Sequence, residues 1–108
     1  MDDRVKNLLG LAKKAGFLLV GMEKVRRGLE DKKIKFLIIA NDAGLHSRWE
    51  AAVLAERSSI PYHFYSDKKT LGAVLGQASL AIIGVTDENM AKEIRRILEG
   101  GTGPMVPS

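Results

Sequence analysis

The sequence predicts a single α/β domain in which one sheet carries helices on both of its faces. Helical and strand-like patterns alternate along the chain, from a first helix through four strands to a fifth helix. Such alternation builds a sheet that is covered by helices. The chain has 108 residues, and 45% of them are hydrophobic, which suits one domain with a core of its own. We expect the domain to cover residues 1–100, and residues 101–108, which carry no charged side chain, to form a disordered tail.

Residues 4–31 predict a helix, a strand and a second helix. Near the start of this segment, apolar residues recur at helical spacing and indicate one buried face. The apolar run 17–20 predicts a short buried strand, and the glycine that follows ends it. Val25 and Leu29 lie four residues apart among charged neighbours, so they mark the inner face of the second helix.

Residues 34–65 predict a strand, a third helix and another strand. The apolar run 36–40 is the strongest signal of a buried strand in the chain. Pro61 cannot donate a backbone hydrogen bond, so the strand that begins there, through Tyr65, is expected near an edge of the sheet. The side of the third helix that faces the core is expected to consist of Leu45, Trp49, Ala52 and Val53.

The rest of the chain predicts a short helix, a buried strand and a last helix. Ser66 is expected to cap the short helix, and Gly76 to stop it. The apolar run 80–85 predicts the strand. Thr86 is expected to cap the last helix, whose inner face includes Ile94.

The positive charge of the chain is concentrated in its first third. The formal net charge is +4, yet residues 1–35 hold ten basic and five acidic residues, a net of +5. The remaining residues hold seven basic and eight acidic ones, a net of −1. A basic face concentrated in one part of a domain is typical of a protein that binds a polyanion. A merely solvated basic surface is the alternative.

The side chains that would carry catalysis or hold a metal are sparse and scattered. The chain has no cysteine, and its two histidines, His46 and His63, are far apart in the sequence. Asp42 follows a buried strand, but no acidic pair accompanies it, so a turn or capping residue is the better interpretation. The glycines do not form a phosphate-binding loop. We therefore expect neither an enzyme, nor a metal site, nor a cofactor, nor a small-molecule substrate.

The expected location is the cytoplasm. The absence of cysteine fits a reducing compartment. No apolar run approaches the roughly 20 residues that a membrane helix needs. Met1 is followed by two acidic residues, Asp2 and Asp3, the wrong charge for a secretory signal.

The start of the second helix is the strongest candidate for a binding site. Gly21 ends a strand there, and the helix that follows offers unpaired N–H groups and the positive end of its dipole, which suits a phosphate. Lys24 and Arg27 lie three residues apart and therefore share a face. In the alternative interpretation, Glu23 pairs with Arg27 and the face is only solvated. From the residues alone, the two interpretations carry equal weight.

Five segments of the chain together resemble the superfamily of ribosomal proteins L-seven-Ae and L-thirty-e, and in particular its small bacterial YlxQ-like branch. The resemblance extends over about residues 4–98. It rests on the segments Leu8–Gly16, Val20–Gly21, Ile38–Ala43, Ile60–Tyr62 and Thr70–Gly76.

This resemblance implies a three-layer α/β/α sandwich with a four-stranded mixed sheet. It also implies binding to kink-turn RNA, a sharply bent helix–bulge–helix with tandem sheared G·A pairs. The family motif at the second helix is glycine, any residue, asparagine, glutamate, two residues and lysine. In this chain the glycine is Gly21, whereas Glu23 replaces the asparagine, Lys24 the glutamate and Arg27 the lysine.

The resemblance implies two further contact surfaces, at residues 41–44 and in the loop at residues 77–80. We therefore expect a monomeric, non-catalytic protein that binds structured RNA, either ribosomal RNA or a kink-turn, and no membrane. The alternative is a protein–protein interaction module that has kept the fold and lost kink-turn recognition. The residues expected to contact RNA are Lys13, Lys14, Gly21, Met22, Glu23, Lys24, Arg27, Asp42, Gln77, Ala78 and Ser79.

Overall fold

The computed structural model describes residues 4–100, which form five helices and four strands in alternation. The number and order of these elements agree with the sequence prediction. The predicted tail at 101–108 lies outside the described residues, so the domain boundary stays a prediction. The elements are α1 (Arg4–Lys14), β1 (Leu18–Val20), α2 (Met22–Glu30), β2 (Phe36–Ile39), α3 (Leu45–Arg57), β3 (Tyr62–Phe64), α4 (Lys68–Val74), β4 (Ile82–Val85) and α5 (Glu88–Leu98).

The four strands form one mixed sheet in the order β1-β4-β2-β3. Strand β4 is antiparallel to both of its neighbours, and β3 is parallel to β2. On one face α2 packs against α3, and on the other α1 packs against α4 and α5. The three-layer α/β/α sandwich is therefore confirmed, and β3, which follows Pro61, lies at an edge as predicted.

The core is centred on the two middle strands. All four residues of β2 and all four of β4 are buried. Val25 and Leu29 cover the sheet from α2, and Ile94 covers it from α5, which confirms the inner faces predicted for these two helices. Burial of apolar surface contributes a free energy of about 25 cal/mol per Å² and is the main term that stabilises such a core.

The face of α3 that packs on the sheet is not the predicted one. Leu45 and Trp49 are 77% and 64% exposed, whereas Ala51 and Ala55 are fully buried. Two stripes of residues at helical spacing overlap in this helix. Because all four residues of β2 are large and alternate ones face α3, small alanines let the helix approach the sheet closely. The predicted inner face was wrong because the prediction favoured the largest apolar side chains and did not consider the space between α3 and the sheet. Ala52 and Val53, the other two predicted members, are only partly buried.

Two predicted helix caps were wrong by one residue. Asp67, not Ser66, caps α4, and its carboxylate accepts a hydrogen bond from the backbone N–H of Thr70. Ser66 has a φ of 61°, in the left-handed region, which an N-cap residue in extended conformation does not adopt. At α5 the cap is Asp87, and the hydroxyl of Thr86 donates instead to the carbonyl of Phe17 at 3.0 Å.

The length and polarity of the helices bear on membrane insertion. Among residues 4–100, no helix combines the length and the apolar character that crossing a membrane requires.

Candidate nucleic-acid interface

Three segments that the sequence places far apart meet at one end of the sheet. Strands β1, β2 and β3 end there and β4 begins there, because β4 runs against the other three. The backbone N–H of Gly21 donates to the carbonyl of Ile82 at 3.2 Å, and that of Ala40 to the carbonyl of Ala81 at 2.9 Å. We call this the loop end of the sheet, formed by residues 21–24, 41–44 and 77–80.

Both helices that leave the loop end on the α2–α3 face begin without a side-chain cap. The N-cap of α2 is Gly21, whose φ of 93° lies in a region that favours glycine, and the N-cap of α3 is Gly44. Neither has a side chain to accept from the first N–H groups, in contrast to Asp67 and Asp87 at α4 and α5. Exposed N–H groups at the positive end of a helix dipole suit an anion such as a phosphate.

The cations of α2 point away from the core. Lys24 and Arg27 are exposed, and together with Lys33 they line a shallow groove of about 310 Å³ beside β1. Within residues 4–100 neither Lys24 nor Arg27 takes part in an ion pair, so the pairing of Glu23 with Arg27 that was considered above does not form. Both cations are therefore available to a ligand.

Loop 41–44 is fixed by hydrogen bonds to the start of α4. The carboxylate of Asp42 accepts from the backbone N–H of Lys68 at 2.8 Å, and the N–H of Asn41 donates to the carbonyl of Ser66 at 2.8 Å. Asp42 thus acts as a capping residue, as the sequence indicated. The neighbouring cap, Asp67, has a lowered pKa because the backbone N–H and the hydroxyl of Thr70 both donate to its carboxylate.

Loop 77–80 is held against α4 by a close approach of two backbones. A Cβ atom at Gly72 would lie 2.7 Å from the Cα of Ser79 and 2.8 Å from the carbonyl oxygen of Gln77, so only glycine fits there. The N–H of Gln77 donates to the carbonyl of Gly72 at 2.7 Å. The exposed side chains of Gln77, Ala78 and Ser79 are therefore presented on a rigid loop.

The two lysines predicted at the end of α1 differ, because Lys13 lies beside the residues that precede loop 77–80 and Lys14 does not join the other site residues. The ammonium of Lys13 donates to the carbonyl of Leu75 at the end of α4, so a protein group occupies one of its donors. Lys14 is exposed at the end of α1, and α1 leads into β1 at the end of the sheet opposite the loop end. The structure thus brings together the predicted residues of α2, Asp42 and loop 77–80, and it leaves Lys14 apart from them.

A link between α2 and α3 escaped the sequence analysis. The guanidinium of Arg26 donates to one carboxylate oxygen of Glu50 through Nε at 3.1 Å and through a terminal nitrogen at 2.8 Å. This pair helps to fix segments 21–24 and 41–44 relative to each other. The two residues lie 24 positions apart on different helices, a separation that no periodic pattern reveals.

The acidic and histidine residues of the described chain form no metal centre. Within residues 4–100 no three of these side chains converge on a point where an ion could be held.

The fold and this surface define an α/β/α sandwich that gathers two helix starts and a rigid loop at one end of its sheet. The chain belongs to the ribosomal protein L7Ae/L30e/S12e/Gadd45 family, whose sequence profile matches residues 3–95. The resemblance stated above is thereby confirmed.

Two bacterial relatives are similar over most of their length. The RNA-binding protein YlxQ of Enterococcus faecium is 25% identical over 97 residues, which cover 90% of this chain and 93% of the relative. The RNA-binding protein YlxQ of Bacillus subtilis (strain 168) is 23% identical over 92 residues, which cover 85% and 92%.

Two solved structures share the fold. A protein of unknown function from Bacillus halodurans C superposes with a TM-score of 0.87 at 26% identity, covering 91% of this chain and 99% of the other. The 15.5kD RNA binding protein of Giardia lamblia superposes with a TM-score of 0.77 at 20% identity, covering 89% and 85%, and so supports the fold alone.

Proposed function

We propose that this protein binds structured RNA at the loop end and catalyses no reaction. The observation that carries the proposal is the meeting of three family-matched segments at one end of the sheet, with two uncapped helix starts and unpaired cations beside them. Family membership and the names of the YlxQ relatives support RNA as the ligand. The proposed setting is cytoplasmic, with the protein acting as a monomer on ribosomal RNA or another RNA that contains a kink-turn.

The residues of the loop end would bind RNA both through charge and through hydrogen bonds. Lys24 and Arg27 would neutralise phosphates, and Arg27 could also donate to a guanine edge. The N–H groups that follow Gly21 would bind a backbone phosphate at the helix start. Gln77 and Ser79 can each donate and accept, which suits base or sugar edges. Loops that are rigid before binding reduce the entropy lost on association.

A protein–protein interaction module on the same fold is the second candidate function. The observation that favours it is the solvent-exposed apolar pair Leu45 and Trp49 on α3. Exposed aromatic residues are common at the centres of protein interfaces. This candidate requires that α3, and not the start of α2, forms the working surface.

Glu23 and Lys24 provide the test of kink-turn recognition. An asparagine amide both donates and accepts, whereas the carboxylate of Glu23 only accepts and repels phosphate. The double change Glu23→Asn with Lys24→Glu moves the charge of the pair from zero to −1. Charge alone predicts weaker RNA binding by this variant, and base-edge recognition predicts stronger binding to a kink-turn. We expect stronger binding to the kink-turn and weaker or unchanged binding to a straight duplex of equal length.

The measurement is a titration of the wild type and the variant against both RNAs by fluorescence anisotropy. Weaker binding of the variant to the kink-turn would show that these positions act through charge. No binding of the wild type to either RNA at low salt would refute the proposed function itself.

A further inference from the structure

A second group of cations lies at the end of the sheet opposite the loop end. Lys32 follows α2, Lys35 precedes β2, and Arg57 is the last residue of α3. The three side chains line a cavity of about 530 Å³, whose apolar wall includes Leu29 and Ile34. We call it the basic cleft.

The cations of the basic cleft form no ion pair in the described part of the chain, and only Lys35 also lines a neighbouring cavity that contains a carboxylate, that of Glu88. Among residues 4–100, no carboxylate lines the cavity, and none of its three cations takes part in an ion pair. The cations of the neighbouring helix α5 differ, since Lys92 lies 3.8 Å from Glu88 and Arg95 lies 2.9 Å from Glu99. Three like charges that face one cavity repel each other, and a bound anion would relieve that repulsion.

The backbone at Lys32 adopts a conformation that favours glycine, as does that of Ser59, which has a φ of 57° directly after the C-cap of α3. Lys32 has a φ of 59°, in the left-handed region, directly after the C-cap of α2. Helices usually place glycine at this position because glycine carries no penalty there. A lysine at such a position costs stability. Attraction to the helix dipole can explain a cation near the end of α2. It does not require that cation at position 32, where glycine would be the most favourable residue.

The basic cleft lies within reach of an RNA bound at the loop end. Helix α2 joins the two ends, and its nine residues span about 14 Å at 1.5 Å per residue. That length corresponds to roughly four base pairs at about 3.4 Å each. The groove beside the same helix is lined by three cations and one carboxylate, those of Lys24, Arg27, Lys33 and Asp31, and so supplies a net positive charge between the two ends.

We propose that the basic cleft binds the phosphodiester backbone of a helical stem that flanks the RNA element held at the loop end. The inference rests on the proposed function and extends it to a second contact. Lys32, Lys35 and Arg57 would neutralise phosphates of the stem, and Ser59 at the rim can add a hydroxyl donor.

The test compares RNAs that share one kink-turn and differ in stem length. The short RNA has the shortest stems with which the kink-turn still folds. In each longer RNA, one of the two stems is extended by one full turn of double helix. We expect extension of one stem to steepen the log–log salt dependence of wild-type binding by roughly 3, at about 0.9 for each of the three new phosphate contacts. In the variant Lys32→Gly with Arg57→Gln, most of this gain should disappear, while binding to the short RNA should be unchanged.

Two controls separate this result from a loss of folding or of general charge. The variant Lys92→Gln with Arg95→Gln removes the same charge from α5 and should keep the gain. Lys32→Gly should leave the melting temperature equal or higher, because glycine relieves the left-handed backbone. Equal gains in the wild type and the cleft variant, or no gain on extension of either stem, would refute the cleft while leaving RNA binding at the loop end intact. Absence of binding to the short RNA would refute the proposed function instead.

Discussion

Helices α2 and α3 start at the same end of the sheet and lie side by side on the same face, yet they expose opposite chemistry. Each begins after a glycine without a side-chain cap, and the Arg26–Glu50 pair joins them. Helix α2 buries its large apolar residues and exposes cations, whereas α3 buries alanines and exposes Leu45 and Trp49. The difference shows that the strand beneath a helix can decide its orientation.

The largest expected effect concerns two leucines, one on each helix. Leu29 of α2 is 5% exposed and Leu45 of α3 is 77% exposed. Leu29→Ala removes core contacts and should lower the free energy of unfolding by about 2–5 kcal/mol. Leu45→Ala should change it by less than about 0.5 kcal/mol. Urea denaturation of both variants measures the difference, and similar losses would mean that α3 packs through the side that the sequence predicted.

The exposed faces of the two helices should differ in their effect on RNA binding. Arg27→Gln removes a charge-assisted contact and should weaken binding to a kink-turn RNA by about 1–3 kcal/mol. Trp49→Ala on α3 should leave RNA affinity nearly unchanged. Arg96→Gln, a loss of the same charge on α5, serves as the control in anisotropy titrations. If Trp49→Ala had the larger effect, the working surface would be α3, as the interaction-module alternative requires.

The smallest expected effect concerns the link between the helices. The side chains of Arg26 and Glu50 are 43% and 24% exposed, so solvent screens much of their attraction. A double-mutant cycle with Arg26→Ala and Glu50→Ala should give a coupling free energy of roughly 0.2–1 kcal/mol. The free energies of unfolding for the cycle are measured by thermal or urea denaturation. A coupling free energy of zero would show that α2 and α3 are held together by apolar packing alone.

The alternating pattern predicts the order of the elements, and Pro61 predicts the edge strand. Caps are less predictable, because Ser66 and Asp67 are both suitable residues and only the left-handed φ of Ser66 excludes it. The face of α3 depends on the bulk of β2 beneath it, which no pattern within α3 contains.

The candidate site is only partly predictable as well. Gly21 and the cations after it are visible in the sequence as a strand end followed by a charged helix. Their meeting with loop 77–80 depends on β4 running antiparallel to β1, which alternation alone does not specify. The close approach of the backbone at Ser79 to Gly72 and the hydrogen bond from Lys13 to the carbonyl of Leu75 are tertiary contacts. Such contacts leave no local signal in the sequence.

Mapping of backbone amide chemical shifts in the full chain, with and without a kink-turn RNA, tests most directly whether RNA binds at the loop end. The largest shift changes should fall on three segments, residues 21–24, 41–44 and 77–79. The amides of α5 (Glu88–Leu98), which lies on the opposite face of the sheet, should change little. Changes centred on α5, or on the exposed face of α3 with none at residues 21–24, would contradict RNA binding at the loop end.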